Sequence, residues 1–399
     1  MVADFITWLA EPNWTDGVTE TLEWKTDVLQ SPSGAEQRIA RRLSPRRTFE
    51  FSILVGDNDR QRLENVLFHA GAAHWNMPVF PDVSVLPVAL AAGSSSLALD
   101  TTGRDFSAGG KLLLKSSIEM GARSSLVAIE TVSPEGVTFS APLAESWPAG
   151  TLVYPLRLAM LTDPPDFTRY NAALATAQIR FRVDEHNAFS DDIADLPRYR
   201  QHPVLEPDSD WSESVTGQYA RLLLELDNGS GLIARTDTAR RPFVLQSHAW
   251  MPIGNKAHAT LRRLFYYLRG RQRAIWVAAP SADFYPVSGM NGHVIDVENA
   301  GFADLGVAPG RRDLRIRRSD GTCFYRRITA AAVLSSTTER LLLDGDAISL
   351  ALEDIESISF MALCRQESDS VEWQHVTDTD GLTTVSTTFR GIRDELESV

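Results

Sequence analysis

The strongest constraint on the fold is a set of sequence landmarks that occurs twice. The first copy spans Arg46–Pro78 and the second spans Arg240–Pro280. Each copy has an arginine pair, a short alternating strand, a polar turn, an amphipathic helix that stops near a glycine (Gly71 or Gly270), and a strand with a tryptophan. Because chance rarely repeats so many landmarks in one order, the pattern predicts an internal duplication.

Two further segments have a different residue pattern from the rest of the two copies. Residues 83–155 and 287–360 consist of short apolar runs separated by Gly, Ser, Pro and Asp, which predicts a small β-barrel or sandwich inserted into each copy. Residues 186–210 are acidic and proline-bearing, which predicts a linker.

The predicted fold class is therefore mainly β with minor α. It comprises two repeated β domains, each with one flanking helix and one β insertion. The expected boundaries are 1–82 plus 156–185 for the first domain, 83–155 for its insertion, 186–210 for the linker, 211–286 plus 361–399 for the second domain, and 287–360 for its insertion.

Composition limits the functions that are open to the chain. Its 399 residues, 43% hydrophobic and 23% charged, are typical of a globular protein with two or three domains. The net charge of −13 argues against general nucleic-acid binding, which needs a basic face. Two cysteines are too few for a disulfide framework or a four-cysteine metal site. With no bilayer-length apolar run and no basic, apolar leader, we expect synthesis in the cytoplasm.

Catalytic signatures are missing from the sequence. It has no G-x-S-x-G, H-E-x-x-H or G-x-x-x-x-G-K-[ST] motif, and its eight histidines are scattered. We therefore predict a protein that is not an enzyme, with no catalytic residue, no metal ligand and no cofactor.

The arginine pairs are candidate contact residues. Arg46, Arg47, Arg240 and Arg241 each precede a predicted strand, and Trp24 lies on the alternating strand before the first pair. The planar guanidinium suits ion pairs with a neighbouring subunit. The alternative is that these arginines lie on an exposed strand edge, where their charge keeps the protein soluble. The sequence leaves both interpretations open.

Two aromatic residues are candidates for ligand binding. Trp147 and Tyr154 lie near the end of the first insertion, where they could stack on a carbohydrate or receptor. The second insertion has Phe324 and Tyr325 but no tryptophan, which weakens this alternative.

Several stretches resemble tail proteins of long-tailed, siphovirus-like bacteriophages. They are Trp24–Ser31, Gly34–Arg38 and Pro45–Glu50, followed by the helix, Gly71, Trp75 and Pro78. The class resembled is the distal tail or baseplate-hub protein, whose core is the tail-tube fold, a β-sandwich or curved sheet with one flanking helix. The resemblance covers both copies.

The resemblance implies a structural role in the virion tail. Tail-tube domains assemble edge to edge into six-membered rings, so a duplicated chain would form a pseudo-hexameric ring from a homotrimer, with a homohexamer as the alternative. Such a ring continues the tail tube, joins it to a trimeric hub and passes DNA through its lumen, without membrane anchoring. Implied partners are the tail tube protein, hub or tip proteins, and side fibres that contact the insertions.

An acidic lumen would repel DNA and let it slide. Thr176, Gln178 and Arg180 alternate along one predicted strand and are candidates for the lumen face. Sequence alone does not fix which face points inward, because that depends on the register of the strand.

Overall fold

A computed structural model describes residues 6–70, 74–186, 189–211, 215–229, 231–378 and 381–393. Gly71, the expected stop of the first helix, lies outside this set. Strands hold 49% of the chain and helices 10%, which confirms the mainly β prediction. Among the described residues, no helix has the length and apolar character needed to cross a bilayer.

The first unit is built from long strands with one helix beside them. Its elements are β1 (Ile6–Thr7), β2 (Val18–Gln30), β3 (Glu36–Gly56), α1 (Asp57–Ala70), β4 (Trp75–Pro78), a 3₁₀ turn (Phe80–Asp82), the insertion strands β5 (Ser84–Val85), β6 (Ser96–Ala98), β7 (Lys111–Lys115), β8 (Ser124–Ser133) and β9 (Gly136–Phe139), and then β10 (Leu152–Leu161), β11 (Phe167–Arg169) and β12 (Leu174–Val183).

The second unit follows a small hairpin. Its elements are β13 (Arg198–Tyr199) and β14 (His202–Pro203) in that hairpin, β15 (Gly217–Ala220), β16 (Leu223–Leu226), β17 (Ala234–Asp237), β18 (Phe243–Trp250), α2 (Asn255–Leu268), β19 (Ile275–Ala278), the insertion elements β20 (Met290–Gly292), β21 (Val294–Glu298), α3 (Phe302–Leu305), β22 (Asp313–Arg318), β23 (Cys323–Val333), β24 (Thr338–Leu343), β25 (Ile348–Leu350) and a 3₁₀ turn (Leu352–Asp354), and then β26 (Ile355–Gln366), β27 (Ser370–His375) and β28 (Thr383–Gly391).

The alternation read from the sequence explains the long strands. In β3, Phe49, Phe51 and Ile53 point into the core of the first unit while Glu50 faces solvent. The same period runs along β12, where apolar residues alternate with exposed polar ones.

The two units pair their strands in the same order. The first unit runs β2–β3–β12–β11 and the second runs β15–β18–β28–β27, all antiparallel. The insertions also share an order, β10–β7–β8–β9–β6 against β26–β22–β23–β24–β21. Duplication remains an interpretation, and this shared order is the observation that supports it.

Strand register changes how the copies align. Phe181 lies opposite Phe49, whereas its counterpart Phe389 lies opposite Gln246. Counted from those pairs, Arg47 matches Val244. The sequence suggested that the two arginine pairs occupy equivalent positions, but the strand register shows that they do not. A strand alternates faces at every residue, so matching residue types across copies does not guarantee matching positions.

The tryptophan strands need the same correction. The pairing of β4 with β10 and of β19 with β26 matches Trp75 with Ile275 rather than with Trp276. Trp75 lies in the core of the first unit, while Trp276 faces the other side of its strand and donates its indole N–H to the carbonyl of Tyr199 at 2.9 Å.

Each insertion shares a strand with its unit. The start of β10 pairs with β5 and β7 of the insertion, and its end pairs with β4 and β12 of the main sheet. In the second unit β26 pairs in the same way with β22, β19 and β28. The predicted boundaries at 155/156 and 360/361 therefore fall inside continuous strands, although each insertion keeps an apolar core of its own.

Candidate functional site

The two units meet edge to edge. The outer edge of β2 pairs antiparallel with β27, from Val18 opposite His375 to Glu23 opposite Ser370. The main sheets therefore join into one sheet in the order β11–β12–β3–β2–β27–β28–β18–β15. We call the contact between the β2–β3 hairpin and the second unit the joint.

Apolar packing at the joint crosses from one unit to the other. Leu22 and Trp24 of β2 are buried in the core of the second unit. The Trp24 ring meets Tyr266 of α2 edge-on at a centroid distance of 5.6 Å. Its backbone N–H donates to the carbonyl of Asp369 at 2.8 Å, so the strand is fixed by both side chain and backbone.

The tip of the β2–β3 hairpin is also docked. Arg365 donates from Nε and Nη2 to the two carboxylate oxygens of Glu36, at 2.8 and 3.0 Å. Gly34, with φ of +85°, lies against the ring of Phe243 so closely that a Cβ would be 2.2 Å from its Cζ. A bidentate ion pair and a glycine-only contact fix the register of the hairpin on the second unit.

A buried ion network lies beneath the joint. Its centre is Glu20 on β2, which accepts from Arg47 Nε at 2.5 Å and from Arg262 Nη2 at 3.0 Å. His375 Nε2 lies 2.9 Å from the same carboxylate. Arg47 belongs to the first unit, whereas Arg262 and His375 come from α2 and β27 of the second, so one carboxylate connects both units.

The network continues into the first insertion. Asp105 is buried there and pairs with both Arg47 and Arg157, the latter through Nε at 3.0 Å. Arg157 Nη1 reaches Glu185 at 3.0 Å. Two units and one insertion are thus held by alternating charges, and loss of one partner would leave a buried charge uncompensated.

The protonation of these groups follows from their neighbours. Burial alone would raise the pKa of Glu20, but Arg262 and Arg47 outweigh it and hold that pKa well below its ordinary value. Burial and the Arg262 charge depress the pKa of His258. Burial raises the pKa of Asp82, which accepts the backbone N–H of Asp105 at 2.8 Å.

Glu20, His258 and His375 could in principle hold a metal ion, since their ligand atoms lie within 4.8 Å of one another. However, both oxygens of Glu20 already accept from guanidinium groups. Two buried arginines at this distance oppose the approach of a divalent cation. The arrangement therefore fits a structural ion network better than a metal centre.

Among the described residues, no strand pairs with the corresponding edge of the second unit. In this unit β15 stands where β2 stands in the first, and its residues are exposed or half-buried. Beside it is a pocket of about 390 Å³, lined by Tyr219, Val244, Phe360 and Met361 among others. At the opposite end of the joined sheet, β11 pairs only with β12 in the described part of the chain.

The predicted contact residues divide into two groups. Trp24 and Arg47 are buried in the joint, so their contacts lie within one chain rather than on its surface. Arg46 is exposed on the opposite face of β3. Arg240 and Arg241 line the pocket beside β15.

The remaining predicted residues have mixed outcomes. Gln178 and Arg180 are exposed and Thr176 is half-buried, all on the face of β12 that points away from the core. Trp147 and Tyr154 are buried in two apolar cores, so the prediction that they stack on a ligand is wrong. An amphipathic ring near a turn can fill a core as readily as a ligand site.

Sequence reasoning missed the centre of the network. Glu20, Asp105, Arg157 and Arg262 are far apart in the chain and belong to no spacing motif. The available signal was weak: Glu20 occupies an inward position of an alternating strand, where a charge requires a partner.

The chain matches no protein-family model and no curated protein at a significant level.

Proposed function

We propose that the chain is a structural, non-enzymatic subunit of a phage tail tip, which forms a pseudo-hexameric ring. The observation that carries the proposal is the joint, where one unit adds its β2 edge to the β27 edge of the other. This head-to-tail contact within the chain is the kind that the tail-tube class, by resemblance, makes between subunits.

The open edges suit repetition of the same contact. A head-to-tail interface leaves one copy of each surface unused, and copies add until the rotation closes a ring. Here the unused surfaces are β15 at one end of the joined sheet and β11 at the other. Three chains with two units each would close a ring of six.

The internal contact also predicts the register of the external one. Glu20 lies opposite Trp373 at the joint. By strand pairing, Gly217 is the counterpart of Glu20 and Phe167 is the counterpart of Trp373. We therefore expect Gly217 of one copy opposite Phe167 of the next.

The exposed face of the joined sheet suits a lumen that passes DNA. Besides Thr176, Gln178 and Arg180 of β12, it carries Glu50, Glu372, Thr384 and Ser386 from strands on both sides of the joint. The acidic Glu50 and Glu372 lie beside the basic Arg46, Arg180 and Arg182, so the face has mixed charge instead of the strongly basic surface that DNA binding needs. With the resemblance, this supports a tail-tube continuation that contacts the tube protein above and hub proteins or side fibres below, in the virion tail.

A receptor- or carbohydrate-binding role for the insertions was the alternative. The aromatic residues that supported it, Trp147 and Tyr154, are buried. We therefore retain the ring as the single proposed function.

The mass and shape of the assembled protein test this proposal. We expect light scattering and native mass spectrometry of the purified chain to give a trimer, and negative-stain images to show six lobes around a hole. A closed ring with a different number of lobes, or a chain that stays monomeric at high concentration, would contradict it.

A further inference from the structure

The helices of the two units have the same length but different surroundings. Both α1 and α2 have 14 residues, and the buried residues Leu63 and Leu261 hold equivalent places. This alignment matches Phe68 with Tyr266 and Glu64 with Arg262. Tyr266 is only 6% exposed because Trp24 of the joint and Phe189 of the 186–210 segment cover it, whereas Phe68 is 86% exposed.

Helix α2 is covered because the first unit docks on it. Arg262 contacts Glu20 of β2, and Tyr266 contacts Trp24, which lies four residues further along β2 on the same face. That inner face of the β2–β3 hairpin, bounded by Glu20, Leu22 and Arg47, is the surface that receives the helix.

The corresponding surface of the second unit is the pocket beside β15. By strand register, Gly217, Tyr219 and Val244 are the counterparts of Glu20, Leu22 and Arg47, and all three line the pocket. Phe360 and Met361 add an apolar wall. The chain thus presents an exposed aromatic on one unit and a pocket with an apolar wall on the other. Inside the chain, the equivalent helix meets β2 at Glu20 and Trp24, whose counterparts by register are Gly217 in the pocket and Arg221 beside it.

Charge distribution agrees with this match. Arg240, Arg241 and Arg311 line the pocket, where the receiving surface of the first unit carries Glu20. Helix α1 has Glu64 where α2 has Arg262, and Glu64 also pairs with Arg60 and Arg169 of its own unit. The receiving surface of the first unit also carries Arg47, and the pocket also has Asp283, so the match is one of net charge: a mainly basic pocket faces the acidic Glu64 of α1.

We propose that Phe68 of one copy inserts into the pocket lined by Tyr219, Val244, Phe360 and Met361 of the next copy. The proposal rests on the head-to-tail assembly proposed above and adds its anchoring residue. A buried aromatic in a pocket is the usual form of an interface hot spot. A small apolar ligand in the same pocket is the competing occupant.

The first test is Phe68→Asp in the full-length protein, with Val88→Asp as the matched control. Val88 is also an exposed apolar residue, at 69% exposure, but it belongs to the first insertion and is not among the residues that line the pocket. Sedimentation should show self-association weakened about 30-fold or more by Phe68→Asp, because a charge replaces a hot-spot ring. Equal association of both variants would overturn the proposal.

The second test detects the contact whether or not a ring closes. Chains with Phe68→Cys and chains with Tyr219→Cys are mixed under mild oxidation, both with Cys323→Ser because Cys323 is partly exposed. We expect a disulfide-linked heterodimer, and mixing the Phe68→Cys and Val88→Cys chains should give none.

The outcomes separate this inference from the proposed function. Six-lobed rings without the heterodimer would overturn the inference and leave the ring. Heterodimers from a chain that never closes a ring would support the contact and contradict the ring. Monomers without heterodimers, including any in which a small ligand fills the pocket, would overturn both.

Discussion

His248 and Phe51 occupy equivalent strand positions, but only one of them can take up a proton. Phe51 stacks near Phe181 in the first core, and His248 meets Phe389 edge-on in the second. Both ring nitrogens of His248 are buried without a hydrogen-bond partner among the described residues. Burial, helped by the Arg315 charge, lowers the pKa of His248 from 6.5 to about 4.

A lowered histidine pKa makes stability depend on pH. Between about pH 4 and 6.5 the unfolded chain binds more protons than the folded one at this position, so this contribution to stability is full above pH 6.5 and is lost as the pH falls. Between pH 7 and pH 5 the natural chain should lose folding free energy, and we predict that this loss is about 2 kcal/mol smaller in His248→Phe. Urea unfolding of both proteins at both pH values measures the two losses, and equal losses would refute the prediction.

Residue type alone did not reveal exposure. Trp147 looked available for a ligand, yet it fills the first insertion beneath Arg123, whose guanidinium lies 3.9 Å from the ring centroid. Tyr154 donates its hydroxyl to Glu11 at 3.0 Å from inside the first core. Such positions depend on long-range packing, which a local pattern does not encode.

At the scale of elements, the alternating strands and both amphipathic helices could be read from the sequence, since their period is local. The register between strands could not, which is why Arg241 and Trp276 were matched to the wrong partners. The β2–β3 hairpin shows the difference: its strands were visible in the pattern, but its docking on Phe243 and Arg365 was not.

The hairpin tip offers a test with an internal control. Gly34 and Gly93 both have φ of +85°, but a Cβ at Gly34 would collide with Phe243, whereas one at Gly93 would meet nothing within 4 Å. We predict that Gly93→Ala costs about 1 kcal/mol from backbone strain and that Gly34→Ala costs at least about 1 kcal/mol more. Urea midpoints compare them, and equal losses would mean that the tip does not need its contact with Phe243.

For the whole molecule, the ion network predicts that the units unfold together. Glu20 neutralises Arg47 and Arg262 from different units, so Glu20→Gln should cost about 3–5 kcal/mol, because it leaves the buried Arg262 without a counterion and Arg47 with Asp105 alone. We expect calorimetry to show one transition for the natural chain and two for this variant, because the joint would open before the cores melt.

Glu50→Gln is the matched control for this change. Glu50 lies on the neighbouring strand β3, exposed, and pairs loosely with Arg180 at 3.9 Å. Its loss should change stability by less than about 1 kcal/mol and keep the single transition. Two transitions already present in the natural chain would show that the joint does not couple the units.

The strands β10 and β26 give the molecule a defined path for mechanical load. Each leaves an insertion and enters the main sheet as one backbone, with ladder hydrogen bonds perpendicular to its length. A pull on an insertion along this strand loads many of those bonds at once instead of opening them one by one. Tension applied to an insertion is therefore delivered directly to β12 or β28 of the main sheet without a hinge to absorb it.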